Sequence, residues 1–389
     1  MPGATAAGKV EGMHRSAPAF WLAGAVFLLL QHGCIGLAVS PAYENWLSSR
    51  GIVNGGVKHA YFAYPGGQIK GLGLAKGAGP ALLKVPRTAV LSTTERNTRS
   101  SPLPGVTDEQ WRSEKILTRL ALLLLAEWQK GSASPFADYI NMLIEMEPPH
   151  TPWHWDAESL AVLGSAYPSG AQKAQAQSSD YARLYDALSL GKQGVMVERL
   201  VWACETVRSR TLQGFSAHVD SDGEERWLWT CAMLPAIDSV NHHSQRANCG
   251  VAYDPALSAF ILSARSDAAI AEGSEVLISY GDRDNDDLLM NFGFIEPANP
   301  FDCFTVLVSE GEVAAALTVT KRERATWSVP EGMGDDDIDR ALTAQLALLP
   351  SDSPSSPSSP PPAPDPLLRA FLHEKRTVLL RARELLRTA

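Results

Sequence analysis

Three polar side chains lie within five residues of one another in an otherwise apolar stretch of the chain. Asp238, Asn241 and His242 follow Leu234 in a run whose other members are mostly aliphatic. Polar groups in such a setting need hydrogen-bond partners if they are buried, so the stretch predicts a turn that satisfies them. A metal site formed by Asp238, His242 and His243 is the alternative, although no second cluster supplies further ligands at helical or hairpin spacing.

A tyrosine with a glycine after it closes an apolar segment about 40 residues later. Tyr280 follows Ser279 and precedes Gly281, and Asn285 and a Phe-Gly-Phe sequence at 292–294 come next. A tyrosine at a strand end can present its hydroxyl to a cavity. An ordinary core tyrosine would look the same, so this motif alone does not indicate a site.

Two shorter motifs precede these. The Gly-Leu-Gly sequence at 71–73 would let a backbone approach a ligand closely. It lacks the GxGxxG continuation and the following helix of a dinucleotide site, and a plain β-turn is the alternative. The Arg-Ser-Arg sequence at 208–210 ends a predicted helix, where arginines complement the helix dipole whether or not a ligand is present.

The elements that must position these motifs alternate between short strands and helices. Residues 43–92 combine many glycines with brief apolar stretches, which predicts short strands and tight turns. From Thr107, which forms a predicted capping box with Gln110, apolar residues recur at helical spacing and predict a helical insertion over about 107–200. Strand patterns return from Trp227 to Tyr280.

The C-terminal part is divided by a low-complexity segment. Residues 301–349 are predicted to begin a small helical module, and residues 350–365 are rich in serine and proline and predict a linker. Residues 366–389 predict a final helix, with Asp365 as its N-cap and Pro366 at its first position.

Residues 1–40 have the order of residue types found in a targeting leader. Lys9 and Arg15 precede the apolar run 20–30, and small residues including Gly36 and Ala38 suit a cleavage site. A membrane anchor is the alternative, but the run is shorter than the roughly 20 apolar residues that a spanning helix needs. We expect a plastid reached through the secretory route, with the secretory pathway or the cytoplasm as alternatives.

Charge and cysteine content exclude several classes of protein. The chain has 43 acidic and 34 basic side chains and a net charge of −9, which argues against a general nucleic-acid or anionic-membrane binder. Its five cysteines are widely spaced and form no CxxC pair, so neither a disulfide framework nor a zinc cluster is predicted.

In their order and spacing, the four motifs resemble the SET-domain methyltransferases of the Rubisco large-subunit lysine N-methyltransferase type. The resemblance runs from about Trp46 to Asp302 and includes the helical insertion, where Tyr139 and Trp155 match. It implies an α+β fold: a SET domain over 43–300 with short-stranded sheets and a pseudoknot-like core, the helical insertion, and a small helical C-terminal module.

The resemblance also implies an activity and a role for each motif. The activity is transfer of a methyl group from S-adenosyl-L-methionine to a lysine side-chain nitrogen of a protein, with Tyr280 as the catalytic residue. The implied cofactor-binding residues are Lys70, Gly71, Leu72, Arg210, Asn241, His242 and Tyr280. The implied substrate-binding residues are Ser209, Asp238, Tyr253 and Phe292. No metal is implied.

Two departures from the family pattern leave alternatives open. Lys70 stands where family members commonly have Glu, so a side-chain contact of that Glu with the cofactor would change here. Phe292 stands where some members have Tyr, so the number of methyl groups added is not predicted. Histidine methylation is the close alternative, and a non-catalytic SET-like binding module is a further one. We expect a monomer whose partner is a lysine-bearing protein segment, without nucleic acid and without membrane association beyond the leader.

Overall fold

Over the residues that the structure describes, short strands form four small sheets, and helices fill several of the connections between them. A computed structural model describes residues 40–64, 67–79, 81–96, 100–146, 148–219, 223–310, 313–320, 334–350 and 365–388. The predicted leader lies outside the described residues up to residue 39, and so does the predicted Ser/Pro linker from 351 to 364.

The strands in chain order are β1 Val53–Asn54, β2 Val57–Tyr64, β3 Gly67–Leu74, β4 Ala81–Pro86, β5 Leu91–Thr94, β6 Thr211–Val219, β7 Glu225–Met233, β8 Asn241–His242, β9 Cys249–Asp254, β10 Ala259–Ala264, β11 Glu275–Ile278, β12 Cys303–Glu310 and β13 Val313–Thr320. The helices are α1 Pro41–Ser49, α2 Asp108–Ser113, α3 Ile116–Gln129, α4 Ala137–Glu145, α5 Ala157–Ala166, α6 Pro168–Ala187, α7 Val197–Arg210, α8 Asn285–Phe292, α9 Asp335–Leu348 and α10 Pro366–Thr388.

The sheet with strand order β2-β3-β11-β8 brings the early glycine motif beside the two later motifs. Strand β11 pairs antiparallel with β3, where Val276 lies opposite Leu72. On its other side β11 pairs parallel with β8, where Leu277 lies opposite Asn241. Val276, Leu277 and Ile278 are all buried, which is typical of a strand covered on both faces.

The remaining sheets have strand orders β1-β4-β10-β9, β5-β7-β6 and β12-β13. The β5-β7-β6 sheet connects the helical insertion to the site, because β6 follows α7 directly and β7 leads into the turn before β8. One sheet therefore holds the chain just after the Arg-Ser-Arg motif, in β6, and just before the Asp-Asn-His motif, in β7.

The predicted helical insertion is present as helices α2 to α7. The predicted capping box at its start is confirmed: the Gln110 amide donates to Thr107 Oγ1 at 3.2 Å, and the Thr107 amide donates to Gln110 Oε1 at 2.9 Å. In α3, the apolar residues at helical spacing, including Leu120 and Leu124, are fully buried.

The C-terminal part differs in one respect from the predicted helical module. Residues 303–310 and 313–320 pair as the β12–β13 hairpin before α9 begins. The reason is a period of two: Phe304 and Val306 are buried in a second hydrophobic core, while the residue between them is not. That core also takes Trp155 and Tyr167 from the insertion and Phe371 from α10.

A buried lysine joins α10 to the rest of the chain. Lys375 Nζ lies 2.6 Å from Asp286 Oδ1 in α8 and 2.6 Å from Asp302 Oδ1, and all three side chains are almost wholly buried. The second carboxylate oxygen of Asp286 accepts from the Tyr167 hydroxyl at 2.8 Å. Among the described residues, no helix is both long enough and apolar enough to span a membrane.

Candidate active site

Tyr280 lies two residues after β11, and hydrogen bonds hold both its backbone and its phenol. Its N–H donates to His242 Nδ1 at 2.9 Å, and its hydroxyl donates to the Val240 carbonyl at 2.7 Å. Its ring centroid lies 5.0 Å from that of His242 and 4.9 Å from that of Phe292. Burial raises the pKa of the phenol above its usual value, so the hydroxyl stays neutral near pH 7 and can orient a group but not act as a base.

Asn241 in β8 reaches across β11 to the glycine motif in β3. Its Nδ2 donates to the Lys70 carbonyl at 3.1 Å and to Glu275 Oε1 at 2.8 Å. Gly71 makes this approach possible, because a Cβ at that position would lie 2.5 Å from Asn241 Nδ2. The glycine is therefore required by a side chain of the chain itself, which the motif alone did not reveal.

His242 is fully buried and lies between Tyr280 and a carboxylate. Because its Nδ1 accepts from the Tyr280 backbone, a neutral imidazole carries its proton on Nε2, which lies 3.2 Å from Glu296 Oε2. The other oxygen of Glu296 lies 2.9 Å from His243 Nδ1 and also accepts from Ser244. Burial would raise the pKa of Glu296, but its contacts with His242 and Ser244 outweigh that effect and lower it.

Asp238 is buried at the turn before β8 beside Arg210. Its Oδ2 accepts a short hydrogen bond from the Tyr139 hydroxyl, and its backbone carbonyl accepts from Arg210 Nη1 at 3.1 Å. Its Oδ1 is buried and has no hydrogen-bond partner among the described residues. Burial raises the pKa of the Asp238 carboxyl to about 6, although the positive charge of Arg210 opposes the rise.

Ser209 and Tyr253, both predicted to bind the substrate, make none of the contacts described above. The Ser209 hydroxyl donates to the Glu205 carbonyl of its own helix at 2.9 Å. Tyr253 packs against Trp227 and Phe260, with ring centroids 6.1 and 5.1 Å away, and belongs to a different aromatic group from Tyr280. Their roles toward a substrate stay predictions, as do the cofactor roles of Leu72 and Arg210.

Comparisons with known proteins find lysine methyltransferases among the similar sequences. No family model matches the chain. The ribosomal lysine N-methyltransferase set10 of Schizosaccharomyces pombe is 26% identical over 193 residues, covering 49% of this chain and 33% of its own. The human N-lysine methyltransferase SETD6 is 26% identical over 318 residues, covering 75% of this chain and 64% of its own.

A solved structure of Rubisco LSMT bound to AdoMet superposes with a TM-score of 0.60 and 15% identity, covering 90% of this chain and 92% of that one. The fold is a SET domain of the Rubisco LSMT type. The predicted fold class is thereby confirmed. The chain spans between a third and two thirds of the length of the two curated relatives, at 33% and 64%.

Several residues of this SET domain escaped the sequence-based prediction. Glu275 stands five residues before Tyr280, but an acid at a strand start usually faces solvent. Tyr64 donates to Glu275 Oε1 at 3.3 Å from the far end of β2. His59, also in β2, lies near Arg210 and Lys70; burial lowers its pKa to about 4, and both positive charges add to that effect.

The geometry does not support the alternative of a metal site in the SET domain. Glu296 contacts both His242 and His243, and Asp238 is bonded instead to Tyr139. Over the ranges that the structure describes, no group of three or more His, Cys, Asp or Glu side chains is placed to hold a metal ion. The two histidines are instead accounted for by the turn that carries them.

Proposed function

We propose that this chain is an S-adenosyl-L-methionine-dependent protein methyltransferase that acts on a lysine side-chain nitrogen. The observation that carries the proposal is the Tyr280 phenol, which is hydrogen-bonded to the Val240 carbonyl and packs against the rings of His242 and Phe292. Tyr280 lies two residues after β11, the strand that pairs with both β8 and the glycine motif in β3. The relatives named as lysine methyltransferases support the same conclusion.

The residues of the glycine motif and β8 fit the cofactor's amino-acid end. Gly71 leaves room for the Asn241 amide, whose nitrogen donates within the chain and whose carbonyl oxygen accepts no hydrogen bond among the described residues. Arg210, in the last turn of α7, supplies a guanidinium for the carboxylate, a charge-assisted contact. Bound S-adenosyl-L-methionine would supply an electrophilic methyl group.

Transfer is an in-line displacement: the bond from methyl carbon to sulfur breaks as the bond to nitrogen forms, and the nitrogen then loses a proton to water. Alignment therefore supplies much of the acceleration. A free lysine has a pKa of about 10.4 and must first be neutral, which an apolar channel favours. Phe292 supplies an apolar wall beside Tyr280, and the neutral Tyr280 oxygen has lone pairs that can contact an electron-poor methyl group.

The test replaces Tyr280 by Phe. We expect Tyr280→Phe to retain binding of S-adenosylhomocysteine within about threefold by calorimetry and to lose at least a hundredfold in transfer of labelled methyl to proteins of a source lysate. Tyr185→Phe is the matched control, because Tyr185 donates to Val195 at 2.8 Å within the insertion. Equal transfer by both variants would remove Tyr280 from the mechanism.

The same labelled products decide the acceptor. Mass spectrometry of the modified peptides is expected to place the methyl group on lysine, and a label on histidine would select the alternative acceptor. Labelled nucleic acid would contradict the proposed protein substrate. Light scattering of the purified chain is expected to give the mass of a monomer.

We further propose that residues 1–40 direct the chain to a plastid through the secretory route. The support is the sequence order of a basic start, an apolar run and small residues. N-terminal sequencing of the protein isolated from its source is expected to start close to Ala38. A mature chain that retains residue 20 would contradict cleavage.

A further inference from the structure

The orientation of the Asn241 side-chain amide is determined by its two partners. A primary amide carries two N–H donors, and Asn241 Nδ2 uses them on the Lys70 carbonyl at 3.1 Å and on Glu275 Oε1 at 2.8 Å. Both partners accept, so a flipped amide would set its carbonyl oxygen against two other oxygens. The only Asn241 side-chain group left for a ligand is therefore its carbonyl oxygen, which can only accept.

Glu275 is itself held in place for this contact. The Tyr64 hydroxyl donates to the same Oε1 at 3.3 Å, and the start of β11 fixes the Glu275 backbone opposite Gly73 of β3. Burial raises the pKa of Glu275, while the hydrogen bonds from Asn241 and Tyr64 oppose that rise and favour the carboxylate. A carboxylate behind the amide has no donor to offer, so it holds the amide in one orientation.

Gly71 leaves the space that the side chains of Asn241 and Glu275 occupy. A Cβ at Gly71 would lie 2.5 Å from Asn241 Nδ2 and 3.0 Å from Glu275 Oε1. A side chain at position 71 would therefore force the Asn241 amide to shift and the Glu275 carboxylate to move by a few tenths of an ångström. The glycine, the amide and the carboxylate thus form one unit, in which the carboxylate is the member that neither the sequence motifs nor the resemblance identified.

We propose that Glu275 is a positioning residue that makes the site select a ligand carrying an ammonium group beside its adenosine. It does so by locking the Asn241 amide so that only the carbonyl oxygen is offered, which an ammonium N–H can meet and a carboxylate cannot. The negative charge of Glu275 behind the amide favours the same cation. This inference rests on the proposed function, since it concerns the amino-acid end of that cofactor.

The test compares two adenosine ligands on the full chain. S-adenosylhomocysteine carries the ammonium group, whereas 5′-methylthioadenosine lacks the whole amino-acid end. We expect Glu275→Ala to weaken binding of S-adenosylhomocysteine at least tenfold and of 5′-methylthioadenosine less than twofold, because a hydrogen bond to a charged group is lost only with the first. Tyr64→Phe, which leaves the carboxylate but removes one of its donors, is expected to weaken only the first ligand, by about two- to threefold.

Glu275→Gln is the variant to use if Glu275→Ala does not fold, because it keeps the shape while adding a donor that permits the flipped amide. It is also expected to weaken S-adenosylhomocysteine selectively. Glu272→Gln, at an exposed position just before β11, is the matched control and is expected to bind both ligands as the parent does.

The possible outcomes separate this inference from the proposed function. Equal losses for both ligands in the Glu275 variants would mean that Glu275 supports the pocket as a whole, and would overturn the positioning role. No loss for either ligand would overturn it as well. A parent chain that binds neither ligand would instead overturn the proposed function, and the inference with it.

Discussion

Replacing Asp238 by Asn is expected to stabilise the fold at neutral pH, even though the residue lies in the candidate site. Burial raises the pKa of Asp238 from 3.8 to about 6, so the folded state holds its proton more tightly than the unfolded chain does. Stability from this group is present at low pH and declines as pH rises from about 4 through 6. Two pKa units correspond to about 3 kcal/mol of unfavourable free energy at pH 8, of which roughly half is already present at pH 5.

The assay is urea unfolding of parent and variant at pH 5 and pH 8. The variant's free energy of unfolding, relative to the parent, should increase by about 1.5 kcal/mol between the two pH values. The Tyr139 hydroxyl can still donate to the amide oxygen of Asn, so the variant keeps that bond. Asp186→Asn, at an exposed position near the end of α6, is the matched control. A relative stability of Asp238→Asn that is constant with pH would refute the reasoning.

Three further predictions concern other parts of the chain. Gly71→Ala should weaken S-adenosylhomocysteine binding at least tenfold by calorimetry, because its Cβ would lie 2.5 Å from Asn241 Nδ2, whereas Gly79→Ala, with no neighbouring atom within 4 Å, should bind normally. Lys375→Met should lower the free energy of unfolding by about 3–5 kcal/mol in urea, because it removes the buried cation shared by Asp302 and Asp286, of which Asp286 keeps its ion pair with Lys173, and a loss below 1 kcal/mol would contradict this account. Thr107→Ala should cost about 1 kcal/mol in the same assay through loss of the cap at α2, and a smaller loss for Thr107→Ser would support that cause.

The sequence predicted the site and the local structure best where the residues involved lie close together in the chain. The glycine motif, the Asp-Asn-His turn and Tyr280 could be ordered along the chain, and the resemblance brought them together in one fold. The capping box at Thr107 could be predicted from four residues, because such a cap depends only on neighbours in sequence.

The missed residues depend on contacts between distant parts of the chain. Glu275 bonds to Asn241 34 residues away and to Tyr64 211 residues away, and nothing local distinguishes it from a solvent-facing acid. Likewise, Lys375 is the lysine of the amphipathic helix α10, where a lysine usually faces solvent, and only the assembled second core shows that it is buried. Hydrogen-bond partners of this kind cannot be read from periodicity.

The hairpin β12–β13 was missed for a different reason. It lies beyond the stretch that resembles the family, where only general composition guided the prediction of a helical module. Alternation of buried and less buried residues at Phe304–Val306 is a strand signal, but three residues are too few to outweigh the helical pattern that follows from Asp337.

The second hydrophobic core has a consequence for how the chain folds during synthesis. Trp155 and Tyr167 are made early, yet the core that buries them is completed by Phe371, about 200 residues later. A ribosome adding residues from the N-terminus therefore leaves these rings, and the carboxylate of Asp286, without their final neighbours until α10 emerges. Until then the nascent chain exposes aromatic surface, and chaperones that bind such surfaces are expected to hold it until translation of α10 ends.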